Sequence, residues 1–112
     1  MLEEAVQVIK ALWTESKASF QGTYYNLEGA ANEPKPLQKP HPPILIGGHG
    51  ATYLFRAVAR FADICNVGFE MSLEEHESKL SALAQHCHRY GRDPSEIQVT
   101  HNTRVVIAEN SS

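Results

Sequence analysis

The sequence lacks any long apolar run. None approaches the roughly 18 residues that span a bilayer, so no transmembrane helix is expected. It also lacks a basic surplus. Ten Lys and Arg stand against thirteen Asp and Glu, a formal net charge of −3, and the basic residues are scattered. A nucleic-acid surface needs a basic stripe or patch, so none is expected. Cysteine is scarce: Cys65 and Cys87 lack the CxxC spacing of a metal or redox pair. Two buried free thiols in a cytoplasmic protein are expected rather than a disulfide. The acidic start, Met1-Leu2-Glu3-Glu4, is not expected to act as a secretory signal. There is no internal repeat and no low-complexity tract. Two nucleotide motifs are missing as well. Gly48-His49-Gly50-Ala51-Thr52-Tyr53 lacks the third glycine of a dinucleotide fingerprint, and no Gly-Lys-Ser/Thr marks a P-loop.

What is present is ordinary in bulk and specific in one place. With 112 residues, 42% hydrophobic and 21% charged, the chain is one small domain or a piece of a larger one. The specific stretch is Pro42-Pro43-Ile44-Leu45-Ile46-Gly47-Gly48-His49-Gly50. β-prone apolar residues run into a glycine cluster, and helix-spaced apolar residues follow from Ala51 to Ala62. Strand, tight loop and helix are expected. Glycines leave the loop's N–H groups unshielded, and the following helix aims its positive end at the same place. Such a loop suits an anion, most often a phosphate; equally, the glycines serve a tight turn alone.

Leu2, Ala5, Val6, Ile9, Leu12 and Trp13 recur at helical spacing, with Glu3, Glu4, Gln7 and Lys10 expected on the solvent side. No capping residue precedes Leu2, so the chain is expected to open inside an element. Phe20-Gln21-Gly22-Thr23-Tyr24-Tyr25 reads as an extended or hairpin segment. Asn26 to Lys39 shows no period, and its prolines favour a surface-running connector. Ile44–Ile46 shows no alternation, as expected of a parallel strand buried on both faces.

Leu54, Ala57, Val58, Phe61 and Ala62 place an apolar stripe on the next helix, with Arg56 and Arg60 on its solvent side. Asp63 to Gly68 is a second short buried strand. Ser72-Leu73-Glu74-Glu75 is a capping box opening a helix whose buried face is Leu73, Leu80, Leu83, Ala84 and Cys87. Gly91 is expected to end it in the left-handed conformation. Ile97, Val99, Thr103, Val105 and Ile107 alternate along a last strand.

The expected organisation is a helix over 1–15, an extended arm over 16–43 and βαβαβ over 44–108. Three parallel strands covered on one side are part of an α/β fold whose other sheet face, expected to be apolar, is left bare. Among the six histidines, His86 and His88 are two apart on one helix and point in different directions, so they cannot chelate together. His101 sits on the last strand as a core residue or as an inward residue facing a ligand. Asn66 and Gly68 close the second strand at its ligand-binding end. No metal site and no nucleophilic triad is expected.

Leu12-Trp13-Thr14-Glu15, Phe20 to Tyr25, and Glu33-Pro34-Lys35-Pro36-Leu37-Gln38-Lys39-Pro40-His41-Pro42-Pro43-Ile44-Leu45-Ile46-Gly47-Gly48-His49-Gly50 resemble the bacterial luciferase-like monooxygenase family. Within it they are most similar to the branch of oxidoreductases dependent on the deazaflavin coenzyme F420. Ala59-Arg60-Phe61-Ala62-Asp63 with Asn66, and Gly91-Arg92-Asp93-Pro94 before a strand, fit the same pattern.

The resemblance covers about residues 2–108 and implies the later part of a (β/α)8 TIM barrel, with F420 or FMN bound at the strands' C-terminal ends. It implies that backbone amides of Gly47, Gly48, His49 and Gly50 hold the cofactor's phosphate, with Asn66 beside them. His49 replaces the usual small residue. Ile64-Cys65 stands where the family often has Gly-Trp. The early barrel strands, which supply much of the family's ring pocket, have no counterpart here, so the chain alone is not expected to catalyse. The alternatives are a fragment that self-associates as a homo-oligomer or complements another barrel piece, and a phosphate-ligand binder without redox activity.

Overall fold

The computed structural model describes residues 1–48 and 50–109; His49 and residues 110–112 lie outside the described residues. The chain runs α1 (Leu2–Thr14), β1 (Ala18–Gln21), β2 (Asn26–Ala30), β3 (Leu45–Gly48), α2 (Tyr53–Phe61), β4 (Ile64–Phe69), α3 (Leu73–Arg89), a 3-10 turn (Pro94–Glu96) and β5 (Gln98–Asn102). β3, β4 and β5 form a parallel sheet in that order. Leu45 pairs with Ile64 and Gly47 with Asn66, while Asn66 pairs with Thr100.

The core lies between this sheet and its two helices. Phe55, Val58, Cys65, Val67 and Cys87 are fully buried, with Ile46 nearly so. Burying a side chain of the size of Phe55 stabilises by about 1.5–3 kcal/mol. The stripe on α2 therefore includes Phe55 and leaves Leu54 and Phe61 at its margin. Both cysteines are free, as expected. Burial, with Cys87 close by, pushes the Cys65 thiol up to about 11.

Local chemistry explains the boundaries. Ser72 accepts from the Glu75 N–H and Glu75 Oε2 accepts from the Ser72 N–H, completing the capping box. Gly91 adopts φ 68° just past α3. Arg92 then folds back, and its guanidinium donates to the Val58 and Ala59 carbonyls at 3.2 Å each, closing the C-terminal end of α2. Asp93 accepts from the Ser95 N–H at 2.9 Å, and Pro94 opens the 3-10 turn. The Gly91-Arg92-Asp93-Pro94 run is thus a joint between α3, α2 and β5.

Several expectations are corrected. β3 is not buried on both faces: Ile46 faces the helices, but Leu45 is 54% exposed on the open side. That open face is mostly polar rather than apolar. Asn66, Thr100 and Asn102 lie across it, and Asn66 Nδ2 donates to Thr100 Oγ1 at 3.0 Å and Asn102 Oδ1 at 3.2 Å. On α3, Leu83 and Cys87 are buried, but Leu73, the first residue of the helix, is exposed. β5 stops at Asn102, and Val105, Val106 and Ile107 are exposed, because among the described residues no partner strand receives them.

Residues 26–30, read as aperiodic connector, form β2 and pair antiparallel with β1. With Leu27 its one large apolar residue, β2 owes its form to pairing rather than to pattern. On α1, only Val6 is buried. Glu3, expected on the solvent side, reaches Arg56 Nε at 2.7 Å and Arg60 at 3.1 Å on α2. Glu4 accepts the N–H groups of Thr23, Tyr24 and Tyr25 at 2.8, 2.8 and 3.2 Å, seating the hairpin loop on α1. Lys35 donates to the Leu12 carbonyl at 2.8 Å, tying the arm to the end of α1.

The bond from the Tyr24 N–H, joined by those from Thr23 and Tyr25, holds the Glu4 carboxyl below its ordinary value of 4.5. Because the folded value lies below the unfolded one, this seat contributes fully above pH 4.5 and is lost as pH falls through the lowered value. In an NMR titration the amide protons of Thr23, Tyr24 and Tyr25 should move together with a midpoint below 4.5. In Glu4→Gln that shared transition should vanish; separate midpoints in the natural chain would contradict a common carboxylate.

Candidate functional site

At the C-terminal edge of the sheet two strand-to-helix corners stand side by side, and they are built differently. The corner between β4 and α3 is closed by its own chain. Ser72 and Glu75 take each other's amides, and Glu74 and Glu75 put negative charge on the first turn. A second anion is not wanted there.

The corner between β3 and α2 is open. Thr52, at the N-cap of α2, makes no side-chain capping bond, and no acid lies in the first turn. The helix end therefore keeps its positive dipole and main-chain donors. Gly48 has φ 138°, a conformation L side chains rarely adopt, and a Cβ there would come within 2.9 Å of Leu54 Cδ2. Gly47 is conformationally ordinary, and a Cβ there would meet nothing closer than Asn66 Cβ at 3.8 Å. Beside Gly50, a hollow of about 480 Å³ is lined by Leu2, Ala51, Thr52, Tyr53 and Leu54.

The first turn of α2 is itself unusual. The Phe55 N–H donates to the Gly50 carbonyl at 3.1 Å, five residues back. The Ala51 carbonyl accepts from His86 Nε2 of α3 at 2.7 Å. A carbonyl can only accept, so His86 Nε2 carries a hydrogen.

The structure brings Gly47, Gly48, Gly50 and Asn66 to one corner, with Gly47 and Asn66 in register. His49 lies outside the described residues. The Asn66 amide donors are turned along the sheet toward Thr100 and Asn102. His101 faces the helices: its Nδ1 donates to the Val67 carbonyl at 2.8 Å and its ring stands edge-on to His76 at 5.5 Å. The inward reading of His101 is therefore set aside. Arg56 and Arg60 are engaged by Glu3 and by the rings of Tyr53, Phe61 and Tyr90. Sequence reasoning missed His86, since nothing local links it to a loop 35 residues earlier. Among the described residues no group of three or more His, Cys, Asp or Glu gathers at one point, and no helix is long and apolar enough to cross a membrane.

The family model described as luciferase-like monooxygenase matches residues 1–112. The chain belongs to this family. It is 36% identical over 110 residues to an F420-dependent glucose-6-phosphate dehydrogenase of Kineococcus radiotolerans, a match covering 97% of this chain and 32% of that protein. It is 44% identical over 46 residues to an FMNH(2)-dependent dimethylsulfone monooxygenase of Pseudomonas putida, covering 41% and 13% of the two chains. In fold it is similar to the coenzyme F420-dependent tetrahydromethanopterin reductase of Methanopyrus kandleri, with a TM-score of 0.79 at 18% identity over 89% of this chain and 28% of that one. The luciferase-like chain described here is thus a partial (β/α)8 barrel that spans about a third of the length of its F420-dependent relative.

The two neighbouring glycines should respond differently to a methyl group. Gly48→Ala is expected to lose about 1–3 kcal/mol in denaturant unfolding, because φ 138° must be abandoned or strained. Gly47→Ala should change stability by less than about 1 kcal/mol. Equal losses at both would show that the turn does not depend on the Gly48 conformation.

Proposed function

We propose that this chain supplies the cofactor-phosphate corner of a flavin- or F420-dependent luciferase-like oxidoreductase or monooxygenase. The observation that carries the reading is the asymmetry of the two corners. The α3 end is occupied by its own glutamate, whereas the α2 end is uncapped, free of acid and lined by glycine. Backbone N–H groups of Gly47, Gly48, His49 and Gly50, with those opening α2, would hold the phosphate, and Asn66 would form the adjacent wall. The cofactor, when bound, supplies hydride or oxygen-transfer chemistry; the residues here bind and orient its phosphate end. Both kinds of relative named above use such a cofactor, one F420 and the other FMNH(2).

Fluorescence anisotropy with FMN and with riboflavin tests this directly. The two share a ring system and differ in the phosphate. FMN is expected to bind at least tenfold tighter, and F420, which carries its phosphate as a diester, is expected to compete. Equal affinity for FMN and riboflavin would remove the phosphate from the reading.

The open sheet face favours a second role beside the first. Among the described residues β3 and β5 are both edges, Leu45 is exposed on β3, and Val105-Val106-Ile107 continues unpaired. Further strands, from a second copy or from a complementing barrel piece, would cover this face. Light scattering after size exclusion should give a discrete oligomer, and FMN should elute with it; a monomer at high micromolar concentration would argue against self-association.

A further inference from the structure

The bond from α3 to the glycine corner has a consequence for binding. The Ala51 carbonyl stands just before the N-cap Thr52, at the entry to α2. Here that carbonyl accepts from His86 Nε2 at 2.7 Å, and the Phe55 N–H reaches the Gly50 carbonyl at 3.1 Å. The turn at the head of α2 is therefore one residue wider than an α-turn. His86 sits one residue from Cys87, which is fully buried in the core, so the imidazole is carried by a well-anchored stretch of α3. The ring thus ties the loop before α2 to α3.

We propose that His86 is a positioning residue for the anion corner: by taking the Ala51 carbonyl it holds the head of α2 open and aims the amides of Ala51 to Leu54 outward. The proposal rests on the phosphate-binding reading given above. His86 touches no ligand in this role. It acts through the shape of the loop, so its loss should release the Ala51 carbonyl, let the turn shift and weaken phosphate recognition. Any side chain that places an N–H donor at the same point should restore both.

The experiment compares the natural chain with His86→Ala and His86→Gln, using FMN and riboflavin as probes and the ligand-free amide spectrum as a second readout. In His86→Ala the Phe55 amide should shift in the absence of ligand. The preference for FMN over riboflavin should fall about tenfold, the scale of one hydrogen bond. His86→Gln should return the preference to within about threefold of the natural chain, because its Nε2 donates like the imidazole. Riboflavin affinity should be the same in all three. If the natural chain does not prefer FMN, the phosphate reading fails and this proposal falls with it. If the natural chain prefers FMN and His86→Ala does so equally, the positioning role alone is overturned. A loss of FMN preference in both variants, with an unmoved Phe55 amide, would likewise overturn it, since the effect would not pass through the turn.

Discussion

Asp63 sets the register on which the parallel sheet depends. Its carboxylate accepts the Ile44 N–H at 2.8 Å, and its own N–H donates to the Ile44 carbonyl at 2.9 Å. Its carbonyl accepts the Gln98 N–H at 3.0 Å. One residue therefore aligns the starts of β3, β4 and β5. In that register Gly47, Asn66 and Thr100 fall in one row across the sheet, next to the glycine corner. A one-residue slip would turn Asn66 into the core and Cys65 toward the open side. The glycines by themselves make a turn; Asp63, at the opposite end of the sheet, fixes where that turn falls relative to Asn66 and Thr100.

α2 is held at both ends by elements later in the chain. Arg92 closes its C-terminal carbonyls, and His86 takes a carbonyl at its head. On its outer side Glu3 bridges Arg56 and Arg60 from α1. Each pair is half-exposed and individually modest in energy. Together they fix the direction in which the helix points its open end.

Much of this was legible in the sequence, for a physical reason in each case. The βαβαβ order follows from short apolar strands and helical spacing. The capping box at Ser72 and the Gly91 stop are local signals that survive any context. The free, buried thiols follow from their apolar neighbours. The rest depends on contacts between distant segments. β2 has almost no strand pattern and exists because β1 pairs with it. Glu3 and Glu4 look like solvent-facing residues until the partner helix and hairpin are in place. Val105 and Ile107 carry a strand's alternation without a strand beside them. At the candidate site the glycine cluster and Asn66 were readable as a strand-end corner. His86 was not, because its partner is a main-chain oxygen, which leaves no mark in the sequence.

The chain is elongated in outline. The radius of gyration is 17.5 Å, against about 13 Å for a compact domain of this length. The ties made by Asp63, His86 and Arg92 all close within residues 44–102. What the sheet offers outward, among the described residues, is two bare backbone edges, β3 and β5. Main-chain pairing has the same grammar whatever the side chains. Such a sector is therefore interchangeable in principle: the edges will accept strands of many sequences, and discrimination falls to the side chains of the inner face. Chemistry across such barrels can then diverge by exchanging the neighbours of a sector, without redesigning the sector itself.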